Sequence, residues 1–419
     1  MTRAGSTALV AVALGLFLGC WTLLHHGTLA RGQIQDTGLY ARYGDAMADG
    51  SVPYRDFRLE YPPGALPMFV LPSLGHEGDQ RAYDRWFDRL MELCGCLALV
   101  GAALALRALE AGPARTAAAL GLIAVSPLLL GSVVLSRFDY WPAALVALAL
   151  AALLSLRLTA SALGLGVAIA AKLWPVVLAP LALVWILRTR GARAAAAWTA
   201  GLVAVDAACF VPFAILSPGG LRASFHTQLA RPLQLESLGS ALLIAAHHLA
   251  GTSLHVATQY GSQNPAGAGV HAVGIASTIA TAVALAGVWL LFETGPPTGE
   301  RLVAYAAAAV AVLIGLDKVL SPQFLVWLVP LVPLVRGRRG FGAGVLLAAA
   351  LGLTQTWFPR HYWRLVALAP TQSWLLLARD VAIVALAVVL AWPWPPEREA
   401  LGEGRARLAA LERMRTRAD

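Results

Sequence analysis

Long apolar runs constrain the fold of this 419-residue chain more than any other feature of its sequence. Hydrophobic residues make up 58% of the chain and charged residues only 13%, and runs such as 140–156 and 270–292 carry almost no polar side chain. An apolar helix of about 18 residues is long enough to cross the hydrocarbon of a bilayer. The sequence therefore predicts an all-α fold, a polytopic bundle of transmembrane helices. A soluble α/β enzyme is excluded, because its helices would need polar faces.

Cysteine usage and charge distribution exclude several other classes. The four cysteines, Cys20, Cys94, Cys96 and Cys209, lie inside apolar runs, which predicts neither a disulfide framework nor a metal motif. The net charge of +9 is carried by short turns and not by one amphipathic face, so no nucleic-acid partner is predicted. Neither a Walker-type phosphate loop nor a dinucleotide fingerprint occurs. No cofactor is expected, and a divalent metal is not expected although the sequence leaves it open.

The orientation in the membrane follows from the arginines. Basic turns at 188–193 and 336–339, together with a basic tail at 395–419, mark the cytoplasmic side by the positive-inside rule. Counting apolar runs between them predicts about 12 crossings, with both termini in the cytoplasm. Two apolar pieces, 65–74 and 239–250, are too short to cross and are predicted as re-entrant or interfacial helices. The chain thus divides into a membrane domain, 1–394, with an outer loop at 31–63, and a cytoplasmic tail, 395–419.

Ionisable residues gather at the outer boundary once this topology is drawn. They are Asp36, Glu60, Arg137, Asp139, Lys172, Arg231, Glu236, Asp317 and Lys318. A charged side chain beside hydrocarbon is costly in free energy. Acids and bases that recur at one depth therefore predict a shared polar cavity that opens outward and toward lipid. In such a cavity a carboxylate can act as a general base, while Arg or Lys neutralises a leaving phosphate. Because nucleotide sugars are absent outside the cytoplasm, a transferase there needs a donor carried on a membrane lipid.

Seven short motifs along the chain carry a family resemblance. They are Asp36-Thr-Gly-Leu-Tyr40, Asp49-Gly50-Ser-Val-Pro53-Tyr54-Arg-Asp56-Phe57, Glu60-Tyr61-Pro62-Pro63, Arg137-Phe138-Asp139, Ala171-Lys172-Leu-Trp-Pro175, Arg231-Pro-Leu-Gln234-Leu-Glu236-Ser237 and Lys318-Val-Leu-Ser321-Pro322-Gln323-Phe324. In this order they resemble bacterial integral-membrane glycosyltransferases of the C superfamily. The resemblance is greatest to the branch of polyprenyl-phosphate-mannose-dependent α-mannosyltransferases that extend phosphatidylinositol mannosides.

The resemblance implies a GT-C-like fold and inverting transfer of a hexose, mannose in this branch, from a polyprenyl phosphate to an extracytoplasmic lipid or glycan acceptor. It implies that Asp36 is the catalytic base. We further expect Lys172, Arg137, Lys318 and Arg231 to bind the donor phosphate. Substrate contacts are expected from Glu60, Tyr61, Asp139, Glu236, Gln323 and Tyr40. The expected partners are membrane lipid, the polyprenyl-phosphate sugar and the acceptor, in a bacterial plasma membrane with the active site facing outward.

Each of these residues also has a plainer interpretation. Asp36 can simply be solvated, and Glu60 can brace the short helix that follows the prolines. Arg137 and Asp139 can form a structural ion pair between two helix ends. Lys172 can extend its ammonium to the membrane interface without binding a ligand. Arg231 and Glu236 can fix the outer loop to itself.

Two other functional classes fit a polytopic chain. A transporter or flippase of a lipid-linked sugar would also need a polar cavity, but it should carry polar residues at both mouths or at midplane. Midplane positions here are mainly Ala, Leu and Val, with Asp206 and Asp380 as the chief exceptions. A scaffold subunit without activity would leave the acid-rich outer loop unexplained. The sequence therefore favours an enzyme.

Overall fold

The computed structural model describes residues 3–30 and 33–393, so the predicted tail at 395–419 lies outside the described residues. Sixteen α-helices follow one another along this part of the chain. They are α1 (Arg3–Leu23), α2 (Thr37–Ala48), α3 (Leu66–Val70), α4 (Gln80–Ala108), α5 (Pro113–Leu130), α6 (Tyr140–Leu154), α7 (Leu158–Ala171), α8 (Ala179–Arg190), α9 (Ala192–Leu216), α10 (Pro218–Leu229), α11 (Leu238–Ala250), α12 (Val270–Thr294), α13 (Gly299–Leu316), α14 (Gly337–Trp357), α15 (Tyr362–Val366) and α16 (Pro370–Ala391).

Seven of these helices, α4, α5, α9, α12, α13, α14 and α16, are long and apolar enough to cross a membrane. Shorter apolar helices include most of α1, together with α6, α7 and α11, and the segment Pro322–Leu334 is a further short apolar piece. The predicted polytopic helical bundle is therefore confirmed. The count of about 12 crossings stays a prediction, because five of them fall on α1, α6, α7, the segment that ends with α8, and Pro322–Leu334.

One element departs from the all-α prediction. Strand β1 (Leu254–Gln259) pairs antiparallel with strand β2 (Ser262–Gly267) as a small hairpin. The two residues of its turn, Tyr260 and Gly261, both have positive φ, at 53° and 67°, as a two-residue hairpin turn requires. Hydrophobic alternation, the usual signal of a strand, is absent from β2.

Helix α13 lies at the centre of the bundle and helix α9 at its edge. Of the most apolar part of each helix, 78% is buried for α13 and only 6% for α9. Small residues let neighbouring helices approach closely, since lipid supplies no hydrophobic drive between them. Gly101 of α4 shows this, because a Cβ at that position would lie 2.8 Å from the carbonyl carbon of Ala147 in α6.

Helices stop early at the end of the bundle where the predicted site residues lie. Helix α7 ends just before Lys172, whose backbone is extended, and Pro175 lies in the first turn of the 3-10 segment Trp174–Leu178 that follows. The chain beyond α13 likewise resumes at Pro322, in the 3-10 segment Pro322–Leu328. Proline lacks the N–H that a helix interior needs and is tolerated at a helix start. These interruptions place polar side chains at the ends of apolar helices.

Candidate active site

Asp36 stands at the N-cap of α2 but does not cap that helix with its side chain. An Asp at this position usually accepts hydrogen bonds from the first turn, which stabilises the helix by about 1 kcal/mol. Here its Oδ1 instead lies 2.7 Å from Nη1 of Arg137, and 34% of the Asp36 side chain stays exposed. The interpretation of Asp36 as a merely solvated acid is therefore wrong. The ion pair joins the loop before α2 to the segment between α5 and α6.

Arg137 is a nearly buried cation, with 8% of its side chain exposed. Its Nη1 also contacts the carbonyl of Ser136 at 3.4 Å, while its Nε is buried without a hydrogen-bond partner. A buried charge is costly unless it is paired, so Asp36 is the acid that stabilises Arg137. The pairing of Arg137 with Asp139, considered from the sequence, is wrong.

Asp139 pairs with Lys172 instead. The ammonium Nζ of Lys172 lies 2.6 Å from Oδ1 of Asp139, and the Trp327 indole N–H donates to the same oxygen at 2.6 Å. Oδ2 of Asp139 is buried without a partner. The interpretation of Lys172 as a residue that reaches for the interface is also wrong, because only 17% of its side chain is exposed.

Three aromatic rings complete the surroundings of Lys172. Its Nζ lies 4.8 Å from the ring centroid of Phe138, 5.0 Å from that of Phe324 and 5.2 Å from that of Trp327. Cation–π attraction from the ring faces stabilises a charge that has lost most of its water. Lys172 and Asp139 thus form a fixed, largely dehydrated pair beside the Asp36–Arg137 pair.

The loop 31–63 is held against this pair at its C-terminal end. The Trp141 indole N–H donates to the carbonyl of Gly64 at 3.0 Å. A Cβ on Gly64 would lie 2.5 Å from the carbonyl carbon of Ala170, so only glycine fits against the last turn of α7. This close approach brings the loop next to Lys172.

Two tyrosines of the loop have different positions. Tyr40 is 1% exposed and its ring stacks on Phe69 at 4.6 Å, so it belongs to the apolar wall of the site. Tyr61 is half-buried and meets Phe138 edge-on at 5.0 Å. Burial raises the pKa of both phenols well above the usual value, so both stay neutral at physiological pH. Of the two, Tyr61 is the one that a substrate can reach.

Arg231 is a cationic residue of the site whose guanidinium has no ion-pair partner among the described residues. It is half-buried, and within residues 3–30 and 33–393 it makes no hydrogen bond or ion pair. It lies within electrostatic range of Glu60, Lys172 and Glu236. Glu60 faces the open side of the site, yet its partial enclosure raises its pKa; Arg231 opposes that rise and Asp36 adds to it.

Two segments that carry predicted site residues are joined by hydrogen bonds. The Gln234 backbone N–H donates to the carbonyl of Lys318 at 2.8 Å, and its side-chain amide donates to Ser321 Oγ at 3.0 Å. Lys318 itself donates from Nζ to the carbonyl of Leu229 at 3.0 Å, a neutral partner that leaves its charge available. Gln323 is half-buried and makes no hydrogen bond in the part of the chain that the structure describes.

Glu236 is a buried acid of the site. Its Oε1 accepts a hydrogen bond from the Tyr362 hydroxyl at 2.9 Å, and its backbone carbonyl accepts one from Nη2 of Arg379 at 2.7 Å. Tyr362 and Arg379 were missed by the sequence analysis. The signal that pointed to Arg379 was its neighbour Asp380, one of two acids noted within apolar helices, because ionisable residues in such helices are rarely without a role.

A cavity between α12, α13 and α16 is separate from this site. It measures about 240 Å³ and is lined only by apolar residues of α12, α13 and α16, such as Val288, Val312 and Val384. Across the described ranges, no group of three or more His, Cys, Asp or Glu residues is placed to hold a metal ion.

A bundle of membrane-length helices whose loops bring acids and cations together at one end is typical of integral-membrane enzymes. The model of glycosyltransferase family 87 matches residues 59–322, more than half of the chain. The chain belongs to this family and is a membrane glycosyltransferase. The transporter and the inactive scaffold are thereby set aside. No curated protein matches the chain.

The family match covers most of the site residues. It includes Glu60, Arg137, Lys172, Arg231 and Lys318, and it begins after Asp36. The ion pair between Asp36 and Arg137 therefore connects a residue outside the matched region to one within it.

Proposed function

We propose that this glycosyltransferase moves a hexose, with mannose as the first candidate, from a polyprenyl-phosphate donor to a lipid or glycan acceptor outside the cytoplasm. The observation that carries the proposal is the presence of a partly exposed carboxylate, Asp36, and an unpaired cation, Arg231, within one cluster of the described residues. Family membership supplies the glycosyl transfer. The polyprenyl donor and the mannose come from the motif resemblance.

Asp36 is the proposed general base. One third of its side chain is exposed, so an acceptor hydroxyl can reach it, and Arg137 fixes its orientation. The carboxylate takes the hydroxyl proton while the acceptor oxygen attacks the anomeric carbon of the donor. The bond from that carbon to the phosphate oxygen breaks, and polyprenyl phosphate leaves. Attack from the face opposite the phosphate inverts the configuration.

The leaving phosphate is the proposed ligand of the cations. Arg231 comes first, because its guanidinium has no internal partner in the described part of the chain. Lys318 comes second, since its ammonium contacts only a carbonyl. Lys172 and Arg137 add positive potential, although each is already paired with an acid. Preorganised cations of this kind stabilise the charge that develops on the leaving oxygen. The sugar or the acceptor is proposed to contact the remaining residues, Tyr61, Glu60, Gln323 and Asp139.

The proposed orientation places this site outside a bacterial plasma membrane, with both termini in the cytoplasm. The two ends of α13 support it. Glu300 in its first turn pairs with Arg115, whereas Asp317, directly after its last turn, lies within electrostatic range of Arg231. The basic turn of Arg188, which donates to the carbonyl of Gly295, is also near the first end of α13. Site and basic turns thus lie at opposite ends of the bundle, as the positive-inside rule requires for an outward-facing site.

One reconstitution tests both the donor and the orientation. The purified protein is placed in sealed vesicles, sorted by the accessibility of a C-terminal tag, and supplied from outside with polyprenyl-phosphate mannose or with a nucleotide sugar. We expect hexose transfer only from the lipid donor and only in vesicles whose tag is enclosed. Transfer from the nucleotide sugar would contradict the donor. Transfer confined to vesicles with an exposed tag would contradict the orientation.

A further inference from the structure

Helix α16 carries a charged pair deep in its apolar length. Arg379 and Asp380 are both 0% exposed, and Nε of Arg379 lies 2.8 Å from Oδ1 of Asp380. Buried ion pairs seldom stabilise a fold more than apolar residues of similar volume would. Their presence in α16 is therefore better explained by what Arg379 does for the loop it contacts.

That loop is the one that carries Glu236. Arg379 donates to the carbonyl of Glu236 at 2.7 Å and lies over the ring of Trp357, with its guanidinium carbon 5.3 Å from the ring centroid. Tyr362 donates its hydroxyl to Oε1 of Glu236 at 2.9 Å. Glu236 is thus held at its backbone by α16 and at one carboxylate oxygen by α15. Its orientation is fixed by two independent hydrogen bonds.

The other carboxylate oxygen of Glu236 has no such bond. Oε2 is buried and has no hydrogen-bond partner within residues 3–30 and 33–393. A buried polar atom without a partner costs about 1–3 kcal/mol, and more when it is charged. The surroundings supply two hydrogen bonds to the rest of this residue and none to this oxygen. Such an atom is explained when a ligand supplies the missing donor.

The unpaired oxygen belongs to the same site as Asp36. Arg231 lies within electrostatic range of Glu236, and Arg137, which pairs with Asp36, lies within electrostatic range of Tyr362. Other buried polar atoms of this region are also unpaired, among them Nε of Arg137 and Oδ2 of Asp139. Both donors and acceptors are thus left over among residues near the proposed base. Sugar hydroxyl groups both donate and accept, and they match such a set.

We propose that Oε2 of Glu236 binds a sugar hydroxyl group and selects substrates that carry it, with Tyr362 as a positioning residue. The inference rests on the proposed function and adds the recognition of one hydroxyl. A site built to bond a hydroxyl rejects an analogue that lacks it, because its own buried group is then left unpaired. The hydroxyl can belong to the donor sugar or to the acceptor.

Deoxy analogues test the proposal. The kcat/KM of the wild type and of Glu236→Gln is measured with polyprenyl-phosphate mannose, its 2-, 3-, 4- and 6-deoxy forms, and acceptors that lack single hydroxyl groups. We expect one analogue to lower the kcat/KM of the wild type about 10- to 100-fold, because the missing hydroxyl leaves a buried oxygen unpaired. The same analogue should hardly lower the kcat/KM of Glu236→Gln any further, since the analogue and the substitution remove the same interaction. Whether the critical analogue is a donor or an acceptor identifies which of the two substrates supplies the hydroxyl group.

Two more variants keep the test decisive. Tyr362→Phe should raise KM for the complete substrate and leave KM for the critical deoxy analogue unchanged, which a purely structural role would not do. Glu77→Gln, at an exposed acid that bonds only to its own loop, should behave as wild type. The proposal would be overturned if, for every analogue, the loss of kcat/KM from the missing hydroxyl and the loss from Glu236→Gln simply multiplied. A wild type without transfer from any lipid-phosphate sugar would instead overturn the proposed function.

Discussion

Asp36→Asn should lower the kcat for hexose transfer by about 100- to 10,000-fold, the usual contribution of a general base. Asparagine keeps the shape of the side chain but cannot accept the proton of the acceptor hydroxyl. Helix α2 should still form, because the Asp36 side chain does not cap it and the asparagine amide oxygen can accept a hydrogen bond from Arg137, although the loss of the ion pair should lower the stability of the fold. Transfer from polyprenyl-phosphate mannose in proteoliposomes gives the rate, and the thermal midpoint in detergent reports the fold.

The matched control for this variant is Asp49→Asn. Asp49 lies in the same loop region, at the other end of α2, and is exposed. Its side chain makes no hydrogen bond or ion pair in the described part of the chain. Its activity should stay within about twofold of wild type, as is usual for an exposed position. Equal turnover of Asp36→Asn and Asp49→Asn would refute the assignment of the base.

Arg231→Gln should lower kcat/KM for the lipid donor by about 10- to 100-fold, the loss of one charge-assisted contact to phosphate. The donor KM should rise and the acceptor KM should not, because the guanidinium is proposed to bind only the phosphate. Stability should change little, since Arg231 has no bonded partner in the described ranges. Initial rates over a matrix of donor and acceptor concentrations measure both constants.

Arg222→Gln is the control for that cation. Arg222 is exposed on α10, close in sequence to Arg231, and its side chain makes no hydrogen bond or ion pair with a described residue. Removing it changes the net charge by the same amount without touching the proposed site. A donor KM that rises equally in both variants would mean that only general surface charge attracts the donor.

The sequence was sufficient to predict the class of fold and that four charged residues of the site lie close together. Apolar length predicted the helices, and the arrangement of arginines separated the two ends of the bundle. Asp36, Arg137, Asp139 and Lys172 do lie together, although they come from separate segments of the chain. Ionisable side chains are rare in this chain, so each one near an apolar run carried information.

The pairing within the site was beyond the reach of the sequence. Arg137 and Asp139 are two residues apart, and proximity along the chain favoured a pair between them. In the structure the packing of α7 brings Lys172 to Asp139, and the loop before α2 brings Asp36 to Arg137. Side chains two residues apart in a chain commonly point in different directions, so their partners are chosen by tertiary contacts.

The role of α16 was hidden for a different reason. Arg379 and Asp380 lie in a helix whose apolar residues dominate any average over its length. Their importance comes from the bond of Arg379 to the carbonyl of Glu236, 143 positions earlier in the chain. Because every residue has a backbone carbonyl, the sequence does not show which carbonyl accepts a hydrogen bond from Arg379.

The position of a bound donor phosphate tests the central claim most directly. The measurement is a cryo-electron microscopy structure of the protein with a polyprenyl phosphonate analogue that cannot transfer its sugar. We predict the phosphonate within salt-bridge distance, about 4 Å, of the Arg231 guanidinium, with the sugar between it and Asp36. A phosphonate bound at the opposite end of the bundle, beside Arg115 or Arg188, would contradict the account.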